Sequence, residues 1–233
     1  MTLVPRVVHR LPPGEFAAAA AGVLRSLVCE AIESDGACRI VLAGGRTPTA
    51  VYEMLRTFTD IDWTRVHVFV GDERCVPPEH ADSNVAMIAR TLLSRVAIPA
   101  AQVHRLRGEI DASAAASEYD ALVAALPEPK FHVVLNGVGA DGHTASLFPG
   151  DASITSERRW AVAVHAPAAF AVAQRITLSL RALNSTLHSV TLCTGDDKRT
   201  VRRMMLCTED GSPSLPASLL RGQRQTIWCV DPD

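Results

Sequence analysis

Short apolar runs rich in β-branched residues alternate along this chain with segments in which apolar residues recur at helical spacing. The runs have the length of buried strands, and the segments between them fit amphipathic helices. Strands that alternate with helices predict an α/β fold, with a mostly parallel sheet covered by helices on both faces. The predicted strands are 39–43, 66–70, 131–135, 160–165, 190–193 and 226–230, and the predicted helices are 14–33, 49–57, 84–93 and 112–126.

The length of 233 residues fits one large domain or two small ones. No internal repeat, low-complexity linker or clear boundary divides the sequence, although a small insertion between Pro99 and Leu126 fits the pattern. We therefore expect residues 1–233 to form a single domain.

Composition argues against nucleic-acid and membrane partners. The formal net charge is −2, charges of both signs are spread along the chain, and aromatic residues make up 5%. The alanine-rich stretch 16–28 is interrupted by Arg25 and Ser26 and is too short to span a bilayer. The N-terminus lacks the apolar core of a signal peptide, so we expect a cytoplasmic protein.

The six cysteines form no C-x-x-C pair, and no closely spaced cysteine and histidine ligands suggest a zinc site. Because most of them lie in apolar surroundings, we expect buried, reduced thiols and no metal centre.

Three predicted strands end directly in a polar or glycine-rich loop, at 44–48, 71–78 and 137–150. Ligands of parallel α/β sheets bind beyond the carboxyl ends of the strands. The three loops are therefore expected to converge on one site.

The first loop is typical of a phosphate-binding turn. Gly44 and Gly45 expose backbone N–H groups, the helix that follows attracts anions at its N-terminus, and Thr47 adds a hydroxyl donor. The loop has neither the P-loop ending nor a G-x-G-x-x-G pattern. A plain strand-to-helix turn is the alternative interpretation.

The second loop places Asp72, Glu73 and Arg74 in succession at a strand end. The planar guanidinium of Arg74 suits an anionic substrate group or a developing oxyanion. The alternative is a surface turn with a local ion pair.

The third loop surrounds Asp141 and His143 with glycines. An imidazole acts as a base near neutral pH, and Asp141 is close enough in sequence to orient it. A surface histidine in a flexible loop is the alternative. Lys198, at a further strand-to-helix junction, is placed either to reach a phosphate or to be solvated at a helix start.

These loops, in this order, resemble the signatures of the 6-phosphogluconolactonase family over nearly the whole chain. The most specific match is Gly-Ala-Asp-Gly-His-Thr-Ala-Ser-Leu-Phe-Pro-Gly at 139–150. Residues 42–48 resemble the family's sugar-phosphate turn, and 71–74 with 82–84 resemble its second signature. Weaker matches lie at 175–177, 195–198 and 215–218.

The resemblance implies a Rossmann-like sheet shared with glucosamine-6-phosphate deaminases and ribose-5-phosphate isomerases. It also implies a hydrolase of the oxidative pentose phosphate pathway that needs no metal or other cofactor and converts 6-phospho-D-glucono-1,5-lactone to 6-phospho-D-gluconate. The expected partner is this sugar-phosphate lactone, and the expected assembly is a monomer or a homodimer.

The resemblance assigns His143 the role of general base, with Asp141 beside it, and gives Arg74 a role in binding or stabilising the substrate. We expect the substrate and its phosphate to be bound by Gly44, Gly45, Arg46, Thr47, Asp72, Arg175 and Lys198.

The chain departs from the family pattern at three places. Arg46 stands where a serine is more usual, and it either adds a phosphate contact or points outward. The segment before Arg175 lacks the usual prolines. The sequence ends at Asp231-Pro232-Asp233, short of the family's common alanine-containing end.

The mechanism expected from these residues is direct attack by water on the lactone carbonyl, with His143 as base and Arg74 or loop N–H groups stabilising the oxyanion. A sugar-phosphate deaminase or isomerase with Asp72 as proton base is one alternative. Related deaminases, however, have a glutamate where this chain has Phe148. A non-catalytic sugar-phosphate sensor is the other alternative.

Overall fold

The structure is a computed structural model that describes residues 6–155, 158–208 and 210–232. Its strands are β1 (Arg6–Arg10), β2 (Cys38–Leu42), β3 (Val66–Val70), β4 (Asp72–Arg74), β5 (Val103–His104), β6 (Phe131–Gly137), β7 (Ala161–His165), β8 (Gln174–Leu178), β9 (Thr186–Cys193) and β10 (Gln225–Val230). Its helices are α1 (Phe16–Asp35), α2 (Arg46–Leu55), α3 (Asn84–Thr91), α4 (Ala112–Ala124), α5 (Leu180–Asn184) and α6 (Arg199–Cys207).

The larger sheet has seven strands in the order β1-β10-β9-β6-β2-β3-β5. Every neighbouring pair in it is parallel. Residues 131–136 of β6, near the middle, are all buried, as is typical of a parallel strand covered on both faces. The predicted α/β class, with a mostly parallel sheet and helices, is confirmed.

The periodicity that predicted helix α1 corresponds to its buried face. Its buried side chains recur three or four residues apart, at Phe16, Ala20, Leu24, Leu27 and Ala31. The helix ends at Gly36, whose φ of 77° is a conformation that glycine adopts without steric cost. It covers Phe16–Asp35, close to the predicted range of 14–33.

A second, antiparallel sheet of three strands in the order β4-β8-β7 was not predicted. Residues 71–78 were expected to be a loop, but Asp72–Arg74 forms β4 and pairs with β8, with Arg74 opposite Arg175. That prediction was wrong because β4 is short and charged, and its partner lies about a hundred residues away in the sequence. Local periodicity carries no signal for such a pairing.

Other boundaries differ for local reasons. Helix α2 begins at Arg46 rather than at residue 49, since Gly45 with φ 107° already ends the turn before it. Strands β1 and β5 were missed, the first because it is flanked by arginines and the second because it has two residues. The segment 99–126 contributes β5 to the main sheet and α4, which packs on β7.

The cysteine prediction holds in part. All six are free thiols, and Cys38, Cys193 and Cys229 are buried as expected. Cys207 is exposed, so the prediction of a buried thiol is wrong there, because it lies in the last turn of α6. Within the described ranges, no helix is long and apolar enough to cross a bilayer.

Candidate active site

A cavity of about 570 Å³ lies at the carboxyl ends of β2, β6 and β9. The three predicted loops converge on it, and the loop after β9 joins them. Asp141 does not line the cavity but contacts a residue that does. The predicted site residues that line it are Gly44, Gly45, Arg46, Thr47, Asp72, Arg74, His143, Arg175 and Lys198.

The first loop brings the start of α2 to the cavity. Gly45 adopts φ 107°, and α2 begins at the next residue, so Arg46 and Thr47 lie in the first helical turn. Gly44 packs so closely on α3 that a Cβ there would lie 1.9 Å from Asn84 Oδ1. The loop therefore places the N-terminus of α2 at the cavity, and a helix N-terminus is favourable for a negatively charged group.

Asp141 and His143 form a direct pair. His143 Nδ1 lies 2.5 Å from Asp141 Oδ1, and the same oxygen accepts a hydrogen bond from the His143 backbone N–H at 3.1 Å. Burial favours a higher pKa for Asp141, but the hydrogen bonds from His143 outweigh it and lower the pKa. An ionised Asp141 favours the tautomer that carries its proton on Nδ1, in which Nε2 is the acceptor.

Two phenylalanines flank the imidazole. The ring centroid of His143 lies 5.1 Å from that of Phe148 and 5.4 Å from that of Phe170. The Arg175 guanidinium carbon lies 5.7 Å and 5.1 Å from the same two ring centroids. Arg175 therefore lines the cavity near His143.

The Asp72 carboxylate is buried and is held by two side chains that were not predicted as site residues. Ser146 Oγ donates to its Oδ2 at 2.6 Å, and Asn84 Nδ2 donates to its Oδ1 at 3.1 Å. Asn84 Nδ2 also donates to the Asp72 backbone oxygen at 2.8 Å. Both residues lie inside the family-like motifs, but nothing local distinguishes them from their neighbours.

Glu73 ties β4 to α3. Its carboxylate accepts hydrogen bonds from the backbone N–H groups of Arg74, Asn84 and Val85 at 2.7–2.8 Å. Burial raises its pKa despite these bonds. The alternative of a surface turn is wrong for Asp72 and Glu73, which are buried between the strand and the helix.

Arg74 and the loop after β9 supply cationic groups. Arg74 Nη1 donates to the Asp82 backbone oxygen at 2.6 Å, and its buried Nε has no hydrogen-bond partner among the described residues. Lys198 ends a short 3-10 turn, Asp196–Lys198, that leads into α6. Within the described part of the chain, four basic side chains line the cavity against the two carboxylates of Asp72 and Asp197. This balance favours an anionic ligand.

No group of three or more histidine, cysteine, aspartate or glutamate side chains in residues 6–155, 158–208 and 210–232 is placed to hold a metal ion.

Comparison with known proteins agrees with this architecture. Residues 12–228 match the family model described as glucosamine-6-phosphate isomerases/6-phosphogluconolactonase. A 6-phosphogluconolactonase of Thermotoga maritima is 33% identical over 207 residues, which cover 89% of this chain and 90% of the relative. A crystal structure of the 6-phosphogluconolactonase from that organism superimposes with a TM-score of 0.87 at 30% identity, over 98% of this chain and 100% of the other.

The fold is also found in an enzyme that is not a lactonase. A monomeric glucosamine-6-phosphate deaminase superimposes with a TM-score of 0.84 over 97% of both chains, at 18% identity. At that identity the likeness shows the fold alone. Because the family model covers nearly the whole chain, the protein belongs to the glucosamine-6-phosphate isomerase/6-phosphogluconolactonase family of enzymes.

Proposed function

We propose that this enzyme hydrolyses 6-phospho-D-glucono-1,5-lactone to 6-phospho-D-gluconate, a step of the oxidative pentose phosphate pathway, with His143 as general base. The observation that carries the proposal is the Asp141–His143 pair in a cavity shared with the first-turn amides of α2 and with basic side chains. A base and an anion site in one cavity are what a phosphorylated ester substrate requires.

The reaction proposed here begins with a water molecule next to His143. His143 Nε2 takes a proton from water as the oxygen attacks C1 of the lactone, and the carbonyl oxygen becomes an oxyanion. Arg74 is assigned to stabilise this charge, because its cationic side chain lines the cavity. The C1–ring oxygen bond then breaks, and the imidazolium returns its proton to the departing ring oxygen. The products are a carboxylic acid, which ionises, and a free hydroxyl.

Asp141 positions the base rather than reacting itself. Its carboxylate holds the proton on Nδ1 and stabilises the imidazolium that forms during attack. Phe148 and Phe170 pack against the ring and restrict its rotation.

The phosphate is assigned to the amides at Gly44 and Gly45, with Arg46, Thr47 and Lys198 around them. Binding energy from this non-reacting group holds the lactone against the base. Asp72 and Arg175 are assigned to the sugar end of the cavity. The Asp72 carboxylate is oriented there by the hydrogen bonds that it accepts from Ser146 and Asn84.

The deaminase alternative is disfavoured by Phe148. Its side chain is 2% exposed and packs on His143, at the position where the resemblance places a carboxylate in deaminases. Release of ammonia from glucosamine 6-phosphate would revive this alternative.

We further propose a single domain over residues 1–233, a monomer or homodimer, and a cytoplasmic location. Strand β1 pairs with β10, so both ends of the described chain belong to one sheet. The free thiols suit a reducing compartment.

The test follows acid release from freshly made lactone at neutral pH, with the unaided hydrolysis subtracted. The wild type is expected to accelerate it, and His143→Asn is expected to lose about 100-fold or more of kcat. His165→Asn, outside the cavity, serves as the control and is expected to keep its activity. No acceleration by the folded wild type, or full activity of His143→Asn, overturns the proposal.

A further inference from the structure

The loop from Thr194 to Lys198 is held in place by a residue that lies outside it in the sequence. It follows β9, turns at Gly195 with φ 110° and enters α6 through a single 3-10 turn. Thr194, Gly195 and Lys198 all line the cavity. The orientation of Lys198 toward a phosphate therefore depends on how the start of this loop is fixed.

Asp231, just after β10, fixes that start. Its Oδ1 accepts a hydrogen bond from Thr194 Oγ1 at 2.5 Å, and its Oδ2 accepts one from the Gly195 N–H at 2.7 Å. The residue is 8% exposed, so water competes little for these bonds. One carboxylate thus binds two consecutive residues at the point where the chain leaves the sheet.

A basic side chain of α6 balances the negative charge of the Asp231 carboxylate. Arg202 is 2% exposed, and its Nη1 lies 3.5 Å from Asp231 Oδ2. The cation offsets the negative charge of Asp231, so the contact holds the loop without presenting a net negative charge to the anion site. The same pair connects the end of β10 to the helix that follows Lys198.

We infer that Asp231 is a positioning residue for the phosphate of the substrate, and that it acts by holding Thr194 and Gly195 so that Lys198 faces the cavity. This inference rests on the proposed function of the site. Asp231 touches no substrate, so its loss is expected to weaken recognition of the phosphate and to leave the chemistry at His143 intact.

The experiment compares wild type, Asp231→Asn and Thr194→Val. Asparagine keeps the size of Asp231 but loses its charge and one acceptor, and valine removes the hydroxyl donor. The expected result for Asp231→Asn is a KM for the phosphorylated lactone about tenfold higher, with kcat within about threefold. Thr194→Val is expected to shift KM in the same direction by a smaller factor.

A binding measurement separates this role from general loosening. Isothermal titration with 6-phosphogluconate is expected to show the same loss of affinity, whereas hydrolysis of unphosphorylated glucono-1,5-lactone keeps its kcat/KM. Asp196→Asn is the matched control, because Asp196 lies in the same loop but forms an exposed ion pair with Arg199 at 2.6 Å. It is expected to behave as wild type.

Equal losses on both lactones, or an unchanged KM, overturn the inference. If Asp231→Asn does not fold, Thr194→Val decides: a raised KM with normal kcat supports the inference, and wild-type constants reject it. A wild type that binds 6-phosphogluconate but hydrolyses no lactone defeats the proposed function alone, and the titrations then still test Asp231.

Discussion

The chemistry proposed for this cavity depends on which nitrogen of His143 is protonated. Asp141 lies 2.5 Å from Nδ1, and its lowered pKa keeps it ionised at neutral pH. A charged acceptor at this nitrogen favours the tautomer whose Nε2 is free to take a proton. The flanking rings of Phe148 and Phe170 hold the imidazole plane, so orientation and tautomer are set by different neighbours.

Asp141→Asn tests this division of roles. The amide keeps the shape of the carboxylate but loses the charge that stabilises the imidazolium, and it can also present a donor to Nδ1. We expect kcat to fall roughly 10- to 100-fold while KM changes by less than about threefold. Steady-state kinetics on the lactone measure both constants. A variant with normal kcat would falsify the assignment of Asp141.

At the scale of elements, the phosphate turn depends on how closely α2 and α3 approach each other. A Cβ on Gly44 would lie 1.9 Å from Asn84 Oδ1, and the Asn84 backbone is itself bound to the Glu73 carboxylate. Asn84 therefore has little freedom to yield. The close approach makes glycine necessary at the turn, independently of any left-handed backbone requirement.

Gly44→Ala and Gly71→Ala form a matched pair at the ends of neighbouring strands. At Gly71, which does not line the cavity, a Cβ would meet Val41 at 3.5 Å and the Leu42 oxygen at 3.6 Å, which is ordinary contact. We expect Gly44→Ala to lose about 1–3 kcal/mol of unfolding free energy and to raise KM. Gly71→Ala is expected to stay within about 1 kcal/mol of wild type. Urea denaturation and kinetics measure these effects, and equal behaviour of the two variants contradicts the argument.

At the scale of the whole molecule, two histidines buried in the main sheet link its stability to pH. Burial, together with Arg39, lowers the pKa of His132 to about 4, and its Nδ1 accepts the Arg39 N–H at 2.7 Å. Burial also lowers the pKa of His188 on the adjacent strand. Both side chains are therefore neutral in the folded protein at pH values where the unfolded chain is protonated.

The free energy of unfolding is accordingly expected to fall as the pH drops from about 6.5 to about 4, because the unfolded state binds more protons in that window. The stabilisation is present above the unfolded pKa and is lost progressively toward the folded pKa, where the slope ends. Over that whole window the share of His132 is on the order of 3 kcal/mol.

Urea denaturation at pH 7.5, 6 and 5 measures this slope. His132→Gln removes the titrating group and is expected to flatten the dependence, leaving the part due to the other histidines whose pKa burial lowers, namely His188, His67 and His104. Parallel pH profiles for wild type and His132→Gln would show that His132 is not a source of the dependence.

The parallel sheet and the three site loops were predictable because their signals are local. A buried strand is a run of apolar residues, a helix repeats its apolar face every three or four residues, and glycines with charged residues at a strand end stand out within a few positions. Ligands generally bind beyond the carboxyl ends of parallel strands, and this rule predicted that the loops carrying Thr47, Arg74 and His143 meet at one site. All three residues line the cavity.

Contacts between residues far apart in the sequence have no such local signal. The pairing of β4 with β8, the packing of Phe170 on His143, and the hydrogen bonds from Ser146 to Asp72 and from Gly195 to Asp231 each join segments far apart along the chain. Their residue types are ordinary, and they become partners because packing brings them within hydrogen-bond or van der Waals distance. The local pattern thus established the elements and the chemistry they carry, while three-dimensional packing selected the side chains that hold that chemistry in position.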